Sequence, residues 1–104
     1  MEEIRKRIRK FRDDREWSQF HTPANLAKAI SIESGELLEH FLWDDNHNKE
    51  EVCEELADVM IYCLHMADSL GVDIEDIMNR KMDKNEKKYP VEKAKGTSKK
   101  YTEL

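Results

Sequence analysis

Two glutamates stand where two apolar seams should continue. One seam runs Leu26, Ile30, Glu33, Leu37, Phe41, and the next runs Val52, Glu55, Val59, Tyr62, Met66. Both follow the three-and-four spacing of one helix face. Each interrupting glutamate opens a short acidic motif, Glu33-Ser-Gly-Glu36 and Glu55-Leu-Ala-Asp58. Residues three apart on a helix share a face, so each motif aims two carboxylates in nearly one direction. A carboxylate on a burying face is costly unless something compensates it. If the two helices pack antiparallel, all four acids can meet, and four like charges need cations between them. Hard divalent ions with oxygen ligands, Mg²⁺ above all, are the natural compensation. The plainer reading places the acids at the seam's edge, in water.

The chain is short, 104 residues, which points to one domain over 1–104. With 38% hydrophobic and 39% charged residues its core is thin, and oligomerisation would help it. Only three Gly and two Pro favour long uninterrupted helices. No apolar run approaches the roughly 20 residues a membrane span needs, and the start, Met-Glu-Glu-Ile-Arg-Lys, has no apolar signal region. Cys53 and Cys63, ten apart in one predicted helix, lie too far apart for a disulfide. They are read as reduced thiols in or near the core of a cytoplasmic protein. Without a Cys-x-x-Cys motif, zinc is not expected. Residues 1–79 carry a net charge of −10 and residues 80–100 a net +6. The acidic body argues against a nucleic-acid polymer as partner. The basic end suits either a solvated tail or the cationic side of a polyanion site.

Four helices are predicted. The first covers about 2–15, with Ile4, Ile8 and Phe11 on one face and a solvated Arg/Lys face opposite. Trp17 to His21 reads as a loop, packed onto the body or forming a slot for a planar ring. Thr22-Pro23 starts the second helix, which runs to about Leu42. Asp44 to His47 form a polar loop, and Asn48 with Glu51 resembles a capping box before a helix from Lys49 to Leu70. Gly71 ends that helix, and Asp73 caps a fourth that reaches Lys88. Tyr89-Pro90 stops it, and 91–104 is an extended tail. In the fourth helix Lys81, Asn85 and Tyr89 continue an apolar stripe as polar groups, either frayed into solvent or facing a polar pocket. Tyr62, one turn after Asp58, is by itself a core tyrosine.

Carboxylates on paired helices suggest two chemistries. A di-iron bundle wants Glu-x-x-His, but the residues three before His21, His40, His47 and His65 are Ser18, Leu37, Asp44 and Tyr62. That leaves Mg²⁺-assisted phosphoryl chemistry, with no P-loop motif in the chain.

Glu-x-x-Glu, a spacer and Glu-x-x-Asp in an all-α chain of this length resemble the MazG-like nucleotide pyrophosphohydrolases. Several further stretches resemble the dCTP pyrophosphatase branch: Trp17-x-x-Phe20-His21-x-Pro23-x-Asn25-Leu26, Phe41-x-Trp43, Glu54-Glu55-Leu56-x-Asp58-Val59-x-Ile61-Tyr62, Lys81-Met82-Asp83-x-Asn85, Tyr89-Pro90 and Lys100-Tyr101-Thr102-Glu103-Leu104. The resemblance implies a four-helix MazG-like bundle completed in a homodimer or homotetramer. It implies cleavage between the α and β phosphates of a nucleoside triphosphate, dCTP or a modified dCTP, as nucleotide-pool cleaning. It implies Glu33, Glu36, Glu55 and Asp58 as catalytic Mg²⁺ ligands, with Glu36 the candidate base on position alone. Lys81, Asn85 and Tyr89 would surround phosphates and sugar, Tyr62 would lie nearby, and Trp17 and Trp43 would wall the base pocket. His21 is counted with them as a substrate contact. Relatives in this branch can carry a His where this chain has Ile8, which bears on base preference. Two rivals stand beside this reading: a non-catalytic helical interaction dimer, and the same fold acting on another nucleotide such as dUTP.

Overall fold

A computed structural model describes residues 1–43 and 47–104. The described residues are helical or irregular, with no strand among them. The polar loop expected over Asp44 to His47 lies, but for His47, outside them. The chain divides into two compact units, Met1–Gly71 and Val72–Leu104.

The first unit holds α1 (Glu2–Asp14), a 3₁₀ turn (Trp17–Phe20), α2 (Pro23–Glu39) and α3 (Lys49–Leu70). Local chemistry sets most of these bounds. The Thr22 hydroxyl accepts from Asn25 N at 3.2 Å, with proline in the first turn of α2. Asn48 Oδ1 accepts from Glu51 N at 3.2 Å, one half of the expected capping box. Gly71, at φ 68°, closes α3 in the left-handed conformation. α2 ends at Glu39, short of Leu42, because its last bonds tighten: His40, Phe41 and Leu42 donate to Leu37, Leu38 and Glu39, three residues back. The expected loop after α1 is instead a 3₁₀ turn, entered through Glu16 at φ 55° and closed by His21 N donating to Ser18 O at 3.1 Å.

α2 and α3 form an antiparallel hairpin. His40 meets Glu51 at one end (3.7 Å), and Ser69 Oγ donates to the His21 carbonyl at the other (2.9 Å). Between these ends the α3 seam turns inward, with Val52, Glu55, Val59 and Tyr62 half-buried while Cys53, Leu56 and Met60 are exposed. Cys53 is therefore a surface thiol of this chain, not the near-core one expected, since it sits about 100° round the helix from Val52. Among the described residues the interior is small: Ile8, Leu26, Leu64 and Ala67, joined by Arg5 and His65.

α1 docks on the end of α3. Its basic face is not simply solvated, as expected from its charge: Arg5 is buried, and Arg9 and Arg12 both reach Asp68 of α3. An ion pair between residues 56 or more apart leaves no periodic trace in a sequence.

The second unit holds α4 (Ile74–Lys88) and two single turns, α5 (Val91–Ala94) and a 3₁₀ turn (Tyr101–Glu103). Asp73 caps α4 by accepting from Asp76 N at 3.0 Å. The expected extended tail is thus broken by short helical turns. It folds back on its own helix end: Tyr101 meets Tyr89 edge-on with ring centres 6.2 Å apart, and the Lys88 ammonium lies 4.8 Å from the Tyr101 ring centre.

Candidate metal centre and adjoining cavity

The hairpin brings the two acidic motifs face to face. Glu33 of α2 and Glu55 and Asp58 of α3 each offer an oxygen, and these oxygens all lie within 4.8 Å of one another. Glu36 adjoins them through hydrogen bonds and charge. Desolvation, then the hydrogen bond and charge of Glu36, then Glu55 and Asp58, push the Glu33 carboxyl up to about 7. Glu55 is also raised, by desolvation first and by the charge of Glu36, while its hydrogen bond with Glu33 pulls the other way. The two carboxyls titrate together, and the crowding of negative charge favours a proton shared within the cluster.

The cluster fits a divalent cation on its own chemistry. Glu33 Oε2 and Glu55 Oε2 are buried and accept no hydrogen bond. Orphaned buried carboxylate oxygens are rare and call for an explanation. An all-oxygen set of carboxylates suits a hard ion such as Mg²⁺.

Asp58 also lines a cavity of about 460 Å³. Its α3 wall is Asp58, Ile61, Tyr62 and His65, and the facing wall comes from α1 and the 3₁₀ turn, notably Ile8, Phe11 and Trp17. The Trp17 and Phe11 rings meet edge-on at 5.6 Å. The cavity therefore has a carboxylate end and an aromatic end. Of the residues read from the sequence as substrate contacts, Trp17, His21 and Tyr62 line it. Trp43 does not, and is 91% exposed. Lys81 and Asn85 share one face of α4 in the second unit, and Tyr89 is the residue that ends that helix.

His65, weighed from the sequence only as a di-iron ligand, lines the same cavity. It is buried, its ring centre lies 4.5 Å from that of His21, and its Nδ1 has no hydrogen-bond partner. Desolvation first, then the charges of His21 and Arg12, push its pKa down to about 4, so the ring is neutral. His21 is lowered for the same leading reason. The two imidazoles separate the main cavity from a smaller polar one, about 290 Å³, lined by Arg9, Arg12 and Asp68 among others. A signal was available: Asp58, Tyr62 and His65 step by four and three along one helix face.

Among known proteins, residues 28–104 match the model of the MazG-like family. The chain belongs to the MazG-like family. Its whole length aligns with dCTP pyrophosphatase 1 from Mus musculus at 39% identity and from Homo sapiens at 38%, covering 67% of each. A crystal structure of a pyrophosphatase from Archaeoglobus fulgidus superposes with a TM-score of 0.80 at 46% identity, over 86% of this chain and 92% of that one. The all-α fold of this MazG-like chain agrees with that neighbour.

Proposed function

We propose that this MazG-like chain hydrolyses a deoxynucleoside triphosphate, dCTP or a modified dCTP, to the monophosphate and pyrophosphate with Mg²⁺ held by Glu33, Glu36, Glu55 and Asp58. The chain is a nucleotide diphosphatase: its relatives are dCTP pyrophosphatases and its structural neighbour is a pyrophosphatase. The reading of a non-catalytic interaction dimer is therefore set aside. The observation that carries the finer proposal is the junction at Asp58, which belongs both to the carboxylate cluster and to the aromatic-ended cavity.

When bound, the cation neutralises phosphate charge and acidifies a water for attack at phosphorus. The chain's own residues do the rest. Glu33 must give up the proton it holds before it can serve as a full ligand. Glu36, beside the cluster, takes the water's proton. Trp17 and Phe11 supply a flat apolar wall for the base, and Tyr62 and His21 supply polar edges. Lys81, Asn85 and Tyr89 offer a cation, an amide and a phenol, groups suited to phosphate and sugar. Their assignment rests on that chemistry and on the family motif they belong to.

We further propose that the enzyme works as a homodimer or homotetramer in the cytoplasmic nucleotide pool. Support comes from the small core and from the exposed Ile32, Leu38, Leu56 and Met60 on the hairpin. Both cysteines are free. Among the described residues no helix is long and apolar enough to cross a membrane.

The test is pyrophosphate release from dNTPs, NTPs and 5-modified dCTPs, with Mg²⁺ and with EDTA. Mg²⁺-dependent dCMP and pyrophosphate from dCTP is the expected result. The same products from dUTP alone would keep the chemistry and overturn the base assignment. No release from any nucleotide by folded protein would overturn the proposal.

A further inference from the structure

The Asp68 carboxylate, near the end of α3, is gripped on both oxygens from α1. Arg9 Nε donates to Oδ2 at 3.0 Å and Arg9 Nη2 to Oδ1 at 2.9 Å, a bidentate pair. Arg12 Nη1 donates to Oδ2 at 3.0 Å. One residue later, Ser69 Oγ donates to the backbone carbonyl of His21 at 2.9 Å. Two consecutive residues of α3 thus tie down a segment, Arg9 to His21, at both of its ends. That segment carries Phe11 and Trp17, and Ile8 adjoins it; together they form the wall of the cavity that faces Tyr62.

Other ties of this wall are of short range along the chain: the Arg15 guanidinium lies over the Phe11 ring and Asn25 Nδ2 donates to the Phe20 carbonyl. Ile8 is the one buried apolar residue of α1. The ion cluster is better placed than a surface pair to set the spacing, because Arg12 and Asp68 are mostly shielded from solvent. The hydrogen bond from Arg9, followed by its charge and by those of Arg12, holds the Asp68 carboxyl below the usual carboxylate range, so the grip persists at neutral pH. None of these ties touches the carboxylate cluster.

We propose that Asp68 is a positioning residue, which clamps Arg9 and Arg12 onto α3 and so sets the distance between the Phe11–Trp17 wall and Tyr62, and with it nucleotide affinity. The role rests on the nucleotide function proposed above. It separates two properties of one enzyme: the hairpin carries the chemistry, and the clamp carries the fit of the base.

The test uses the full-length chain. Asp68→Asn keeps the size and removes the charge. With dCTP and Mg²⁺, KM should rise about ten-fold or more while kcat stays within about two-fold, and the half-activating Mg²⁺ concentration should not move. Arg9→Gln, which leaves Arg12 on Asp68, should give a smaller shift of the same kind and covers the case in which Asp68→Asn does not fold. A second readout is independent of turnover: in a Trp43→Phe background Trp17 is the sole indole, and Asp68→Asn should make its fluorescence more open to acrylamide quenching. Equal losses in kcat and KM, or a lowered melting point with KM and quenching unchanged, would overturn the clamp and leave Asp68 a stability residue. If the wild-type protein releases no pyrophosphate, the function fails on its own account. The quenching measurement then still decides whether Asp68 places Trp17, and unchanged quenching would reject that too.

Discussion

Glu33 and Glu55 face each other across the α2–α3 hairpin, and each keeps one buried oxygen that accepts no hydrogen bond. The fold holds two carboxyl groups where packing alone would place apolar side chains. Function in this chain is built against stability at that point.

Removing one of the repelling acids should separate the two. Glu55→Gln is expected to lower kcat/KM for dCTP by about 100-fold or more, the scale on which altered metal sites lose activity. In EDTA the same variant should melt higher than the wild type. A gain of about 1 kcal/mol would appear as roughly 4–8 °C in a unit of this size. Calorimetry with EDTA and steady-state kinetics with Mg²⁺ check the two halves.

Acid should compete with the cation. Glu33 holds its proton up to about pH 7, so its metal-bound form requires a proton to leave. The half-activating Mg²⁺ concentration should therefore rise as the pH falls below 7. Titrations of activity against Mg²⁺ at pH 8, 7 and 6 test this, and a constant midpoint would count against Glu33 as a ligand.

Stability without metal has two opposing limbs. Glu33 is raised from 4.5, so the folded state binds more protons between pH 4.5 and 7, and its contribution is lost as pH rises through that window. His65 is lowered from 6.5 to about 4, so the unfolded state binds more protons between those values. Its effect is therefore a loss of stability as pH falls from 6.5 to 4. The metal-free protein should show a shallow profile. Glu33→Gln should expose the His65 limb, and His65→Leu the Glu33 limb, in urea midpoints measured from pH 4.5 to 7.5.

The aromatic end of the cavity should govern which base is accepted. Trp17→Ala is expected to raise KM for all deoxynucleotides alike, by about ten-fold, because it removes a flat wall with no hydrogen-bond preference. Ile8→His should instead change the ratio of kcat/KM between dCTP and dUTP, since it puts a donor or acceptor into a lining position that is now aliphatic. Ratios from a two-substrate competition assay distinguish them.

The interior should tolerate little. Leu26 is 1% exposed and the largest fully buried side chain. Leu26→Ala is expected to cost about 2–5 kcal/mol, which is a large share of the stability of any small domain. Loss of the thermal transition, or a drop of more than about 10 °C, is the expected readout.

The carboxylate hairpin was legible in the sequence because each acid broke a visible period: Glu33 and Glu55 sit on seams whose other members turn inward, all but Phe41 beyond the end of α2. α3 and α4 were bounded by Asn48, Gly71 and Asp73, residues that act on their nearest neighbours. The Arg9–Asp68 and Arg12–Asp68 pairs were not legible, since nothing local marks a partner 56 or more residues away. His65 escaped for a different reason. With Tyr62 three before it, His65 fits no Glu-x-x-His motif, and its link to the site is only the helix face it shares with Asp58 and Tyr62.

The carboxylates meet through a contact of short range along the chain: Glu33 and Glu55 are 22 residues apart, joined by a single connection. Contacts of that kind form early, before more distant parts of a chain find their places. During synthesis the whole cluster has been made before any residue of the second unit exists. A divalent ion held there would act as a staple between two neighbouring stretches of the chain, closing one hairpin rather than joining distant segments.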